Sequence, residues 1–133
     1  MKVHMKYAYP EHGTRNGRFY SSGVLVKAFN EPAFKELCVN KALPILSEDQ
    51  KLIGMGTAKL EDYRVVSIDG DIFDPTYIKL LKDFKDIAAL TLAGTGMIEC
   101  IDDKTVITKA DFTHAMFTPY PAVDIYDKEF CED

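Results

Sequence analysis

The residue types able to do chemistry are few in this chain, and they are scattered. Histidine stands at positions 4, 12 and 114, cysteine at 38, 100 and 131, and the carboxylates Asp69, Asp71 and Asp74 crowd one short stretch. A zinc centre needs several His or Cys side chains at converging spacings. Here no histidine has an i, i+4 partner and no CxxC pair occurs, so no metal is expected. The three aspartates are of the right type for a hard cation such as Ca²⁺, but the spacing, the glycine and the closing Glu of an EF-hand loop are not met. They read as solvated turn charges. Gly94-Thr95-Gly96 falls inside a strand-like run, not before a helix N-terminus whose aligned N–H groups would hold a phosphate. Glycines so placed mark a bulge or a close backbone approach. The odd number of cysteines reads as free thiols of a reducing compartment, two of them buried. No cofactor is expected.

The elements that position these residues follow from periodicity and turn chemistry. Val3 to Tyr9 reads as a strand and Pro10 to Gly17 as a loop. Ser21-Ser22 offers an N-cap to a helix over about Val24 to Phe29. Asn30 is expected to cap a second helix with Pro32 in its first turn, burying Phe34, Leu37 and Cys38 as one stripe. Ala42 to Leu46 is a short strand, ended by Ser47 to Gln50. Leu52 to Leu60 and Tyr63 to Phe73 read as paired strands, with Val65, Ile68 and Ile72 inward. Asp74-Pro75 opens a helix to about Phe84, whose Tyr77, Leu80, Leu81 and Phe84 share one face. Ala89 to Ile101 and Thr105 to Phe117 form a long hairpin about Asp102-Asp103-Lys104. Beyond it, Asp124 to Asp133 reads as an acidic tail. The fold class is α+β, a mainly antiparallel sheet or small barrel with two to three helices.

Size and charge narrow the functions. A chain of 133 residues is read as a single domain, 1–133, with an ordinary apolar fraction of 47%. The net charge of −5 with scattered basic residues argues against nucleic acid or an anionic membrane as partner. No apolar run is long enough to span a bilayer, and the first residues lack the apolar stretch of a signal peptide.

Resemblances to known families enter at three places. His12-Gly13-Thr14-Arg15 resembles the His-Gly-Thr/Ser tripeptide of ADP-ribosyltransferases, but it sits in a polar loop and no Glu follows in the right setting. His12-x-Thr14 together with His114 resembles the paired His-x-Thr/Ser tripeptides of two-histidine phosphoesterases, but His114-Ala115-Met116 lacks the hydroxyl. The third resemblance is broader. Asn16-Gly17-Arg18-Phe19-Tyr20, followed by Ser21 to Ala28, is similar to the N-G-R-x-Y-P-x-x-V-L-x-x-A opening of the prohead maturation proteases of tailed phages. Asn40 to Pro44 is similar to the strand before that family's catalytic His, Leu90 to Gly96 to its hydrophobic-Ser-x-Arg-Gly-x-Gly strand, and Phe112 to Ala122 to its closing strand. The four segments run in the family's order from about Gly13 to Ala122. The resemblance implies an assemblin-like fold, an antiparallel barrel with helices around it.

The family's Ser–His chemistry transfers with substitutions. The His position is most nearly Glu48, the Ser position is Thr91, and the supporting Arg has become Ala93. A hydroxyl is a weak nucleophile until a base takes its proton. If the hairpin turns near Asp103, residues 91–93 lie opposite His114. A Thr91–His114 pair with Glu48 or Asp49 orienting the imidazole would then replace the dyad, provided the register holds. The expectation is a phage head-morphogenesis protein on this fold, without proteolysis. It would bind capsid or scaffold protein through a groove or sheet edge, in the host cytoplasm or the virion, with self-association open. Two alternatives stand beside it: an active maturation protease using Thr91 and His114, and a small-ligand-binding counter-defence protein with an aromatic-walled pocket.

Overall fold

The computed structural model describes residues 1–85, 89–119, 121 and 123–131. The end of the fourth family-like segment at Ala122, and Glu132 and Asp133 of the expected tail, lie outside them. In chain order the elements are β1 (Lys2–Ala8), β2 (Arg18–Tyr20), α1 (Ser22–Phe29), α2 (Pro32–Val39), β3 (Leu43–Leu46), β4 (Leu52–Glu61), β5 (Val65–Ile72), α3 (Pro75–Asp83), β6 (Ala89–Ile101), β7 (Lys104–Thr118) and β8 (Ile125–Cys131). This is an α+β fold whose strands form one sheet in the order β2-β7-β3-β4-β5-β1-β8, with β6 paired to β7. The sheet is mostly antiparallel and curls into a half-barrel. The exceptions are β2 and β3, which share one edge of β7 and run parallel to it, at Thr105–Ile107 and Ala115–Met116 respectively.

Local chemistry accounts for most of these boundaries. Ser21 Oγ accepts the Val24 N–H at the start of α1, and Asp74 accepts the N–H groups of Thr76 and Tyr77 at the start of α3, each satisfying donors that a first helical turn leaves open. Lys51 lies 2.8 Å from Asp74. The β4–β5 turn places Asp62 and Tyr63 at positive φ, and the β6–β7 turn does the same with Asp102 and Asp103. Two successive left-handed residues give the turn whose twist matches a tight hairpin.

The curl has its cause in β7. Its register with β6 slips twice, between Ala93 and Gly94 and between Met97 and Ile98, so Thr113 and Thr108 are extra residues on β7. Each bulge bends the strand and increases its twist. The bend presses β7 carbonyls onto β6. A Cβ on Gly94 would stand 1.9 Å from the Asp111 carbonyl oxygen, and one on Gly96 would stand 2.5 Å from that of Lys109. These two glycines mark close backbone approach, as their place in a strand implied.

The concave face holds the core. Met5 and Tyr7 of β1, Leu43 and Ile45 of β3, Val66 and Ile68 of β5, and Leu90 of β6 are buried there with Leu25 of α1 and Phe34 of α2. Rings at Phe29, Phe34 and Phe112 pack edge-on or tilted between the helices and β7.

Five expectations need correction. Val65 is half-buried and not inward, because it alternates with Val66 and Ile68, which face the core. Asn30 closes α1, its side-chain amide donating to the Val26 carbonyl, while Glu31 occupies the N-cap of α2. The chain bends between two short helices, and the residue nearest the second start is a glutamate that makes no side-chain cap. Phe84 is 53% exposed, because α3 ends at Asp83 and the ring lies past the last turn that packs. No cysteine is fully buried: Cys38 is half-buried, and Cys100 and Cys131 are exposed, the latter two standing on the outermost strands. The acidic tail is largely β8, paired antiparallel to β1 from Lys2 opposite Cys131 to Tyr7 opposite Ile125. Its charges sit on a half-solvated strand, where they are compatible with pairing.

Candidate functional site: an open strand edge over a tyrosine-lined groove

Strand alternation sorts β6 into two faces. Leu90, Leu92, Gly94, Gly96 and Ile98 share the concave face with their partners Phe117, Ala115, Phe112, Ala110 and Ile107. Thr91, Ala93, Thr95, Met97 and Glu99 turn the other way. Because Gly94 and Gly96 carry no side chain, the concave face is bare over the middle of the strand. There a groove of about 520 Å³ opens, bordered by Tyr7, Tyr9, Tyr20, Phe112, Ile107 and Ile98 among others.

The other edge of β6 divides in two. Its buried first part is closed by side chains of β1: the Leu90 N–H donates to Met5 Sδ at 3.1 Å and the Leu92 N–H to Tyr7 Oη at 3.0 Å. The odd-numbered backbone groups face β7, as the bond from Thr108 Oγ1 to the Met97 carbonyl also records. The same alternation points the N–H and C=O of Gly94, Gly96, Ile98 and Cys100 away from the sheet. No described residue hydrogen-bonds them. This stretch is exposed on both faces, with Met97 at 61%, Ile98 at 59% and Ile101 at 45% exposure. An open, partly apolar strand edge of this length is a template for pairing with another chain.

Among the described residues three phenols line the groove. Tyr7 and Tyr9 approach at a ring-centroid distance of 5.5 Å and Tyr9 and Tyr20 at 4.6 Å. Burial pushes the Tyr7 phenol up to about 12 and holds that of Tyr9 well above its ordinary value. Burial also raises Tyr20, against which the charge and hydrogen bond of the neighbouring Arg18 guanidinium pull downward. Arg64 ties the wall together, donating to the backbone carbonyls of Tyr9 and Tyr20 at 3.1 Å each.

The residues singled out for proteolysis are partly assembled. Ala93 lies directly opposite His114, and Thr91 lies opposite Met116. Thr91 and His114 therefore share a face as diagonal neighbours, a relation that leaves Cβ atoms roughly 7 Å apart. His114 Nδ1 is hydrogen-bonded to the Thr113 hydroxyl at 2.8 Å, and partial burial lowers the imidazole below its ordinary value. No described hydrogen bond links it to Thr91. Glu48 is exposed in the turn after β3, and Asp49 is bonded to the Ser47 hydroxyl. Neither is brought to the imidazole by any described contact.

Other sequence candidates have local roles. His12 is exposed, and Gly13, at φ 102°, lies against the Phe19 ring in a turn closed by the Thr14 N–H to the Arg18 carbonyl. Asp69 receives His4 at 2.7 Å, and Asp71 lies 3.3 Å from the Met1 amine. Among the described residues, no group of three or more His, Cys, Asp or Glu is placed to hold a metal, and no helix is long and apolar enough to cross a membrane.

Comparison with protein-family models, with curated proteins and with solved structures finds no match to this chain. The resemblance to prohead maturation proteases rests on the quoted segments alone.

Proposed function

We propose that this chain is a peptide-holding domain that binds an extended segment of a partner by strand addition at the open edge of β6, without cutting it. The observation that carries the reading is the row of outward backbone groups from Gly94 to Cys100 beside a groove able to receive alternate side chains of the added strand. Main-chain bonds supply affinity in this mode, and the groove supplies selectivity. The partner class comes from the family resemblance: a capsid or scaffold protein of a tailed phage, held during head assembly. The absence of cleavage is supported by the diagonal placement of Thr91 and His114, with no described hydrogen bond between them, and by the exposure of Glu48 away from any described partner. A small-ligand reading has one observation in its favour, the aromatic wall of Tyr7, Tyr9 and Tyr20.

The test is to mix the purified protein with candidate capsid and scaffold proteins and to read both co-elution and intact mass. Uncut partner that co-elutes, and that is lost with Ile98→Pro, is the expected result. Proline at position 98 removes an outward donor and leaves the bonds to β7 in place, the setting in which an edge strand tolerates it. Discrete fragments that vanish with Thr91→Ala would replace the reading with an active protease.

A further inference from the structure

The hydrogen-bond count in the groove leaves a donor over. Tyr7 Oη already accepts the Leu92 N–H, and it lies 3.5 Å from Tyr9 Oη. Two phenols carry two protons, and the contact between them uses only one, whichever way it runs. The remaining O–H has no acceptor among the described residues, although Tyr9 is 5% exposed and Tyr7 fully buried. A buried donor without an acceptor is costly, and this one borders an open groove. Beside it, Arg18 and Tyr20 lie on the same face of β2, and the Tyr20 ring packs tilted against Tyr9 at a centroid distance of 4.6 Å. Among the described residues no carboxylate pairs with Arg18. Among the described residues the groove lining includes Arg18 and Lys109 and no Asp or Glu, in a chain with 21 acidic and 16 basic residues. Lys109 is 3.7 Å from Asp111, which leaves Arg18 as the cation with charge to offer. Phenolic donors beside a guanidinium that is hydrogen-bonded to the Tyr20 phenol but neutralised by no described carboxylate want a group that only accepts and that carries negative charge.

We propose that the groove is a carboxylate subsite, formed by the Tyr7–Tyr9 pair, Tyr20 and Arg18, and that it receives an acidic side chain of the strand added to β6. The proposal rests on the strand-addition reading for the source of the carboxylate. Gly94 and Gly96 give the space: a Glu or Asp on the added strand level with them passes over bare backbone toward the phenols. The partner segment is thus extended, with an acidic residue followed on the same face by a side chain that can cover Ile98 and flanked on the other face by one that can cover Met97.

The test is an amide-resolved NMR titration of the whole chain with N-acetyl-glutamate N-methylamide, with the glutamine analogue and adenosine monophosphate as controls. The expected result is saturable shifts at Arg18, Gly94 and Gly96 with the glutamate compound, and binding weaker by about tenfold or more for the glutamine analogue and for Arg18→Gln and Tyr9→Phe. The dispersed spectrum of each variant reports whether it is folded, and Arg18 is exposed enough to be replaced without loss of core. Equal binding of the glutamine analogue, or no saturable shift with the glutamate compound, overturns the subsite. So does saturation by the nucleotide alone, which would assign the groove to a phosphate-bearing ligand. If the glutamate compound binds while no capsid or scaffold segment protects β6, the subsite stands and only strand addition fails.

Discussion

Tyr7 is the residue on which the closed part of the barrel depends. Its hydroxyl takes the Leu92 N–H at 3.0 Å in a fully buried setting, so Tyr7→Phe leaves a backbone donor without an acceptor. The expected loss is about 1–3 kcal/mol in urea unfolding, larger than for Tyr9→Phe, which orphans no backbone group. The phenols also set an alkaline limit. Their folded values lie above the ordinary 10.0, with Tyr7 at about 12, so folding favours the neutral forms. That contribution is complete below pH 10 and is lost as pH rises toward 12 and beyond. Tyrosinate absorbance should therefore develop late for these two rings and together with unfolding. Early, independent ionisation of all the tyrosines would contradict it. Tyr7 and Tyr9 were legible as members of one strand, Val3 to Tyr9, without being singled out. Their meeting with Tyr20 and Arg18 was not, because β2 reaches them only through a parallel pairing with β7 far along the chain.

At the scale of elements, the β6–β7 hairpin was readable almost to the residue. Its signals are local: a strand-like run, two aspartates that tolerate left-handed backbone, and a second run. The two bulges were not readable, since an extra residue on β7 changes no composition. Their trace in the sequence was the pair of glycines on the facing strand. Gly94→Ala is expected to destabilise by about 1–3 kcal/mol, because the methyl would meet the rigid Asp111 carbonyl and not a flexible side chain. A melting temperature unchanged by this substitution would show that the bulge relaxes freely. β8 was missed for a physical reason. Asp127, Lys128 and Glu129 give it the look of a solvated tail, yet antiparallel pairing to β1 needs only one apolar face, and Ile125 and Phe130 pack against the core. The positions of Thr91 and His114 depend on the bulges at Thr108 and Thr113 together: the hairpin was right, and the diagonal relation between the two side chains followed from register that only the structure supplies.

At the scale of the molecule, the half-barrel leaves a sheet with two different kinds of edge on one strand. The buried part of β6 is sealed by β1 side chains, and the exposed part is sealed by nothing described. The α+β class and the predominance of antiparallel pairing were legible from the strand and turn signals. The curl and the parallel placement of β2 and β3 against β7 were not, since both are long-range consequences of how the faces close over the core. Strand addition turns this asymmetry into a measurement: hydrogen exchange at single amides of β6, alone and with candidate capsid and scaffold proteins. The free protein should show slow exchange at Leu90 and Leu92 and fast exchange at Gly94, Gly96, Ile98 and Cys100, and partner should slow those four while the alternate residues change little. Partner binding that leaves the four amides fast, or protection that appears with rising concentration of this chain alone, would contradict strand addition by a capsid or scaffold segment.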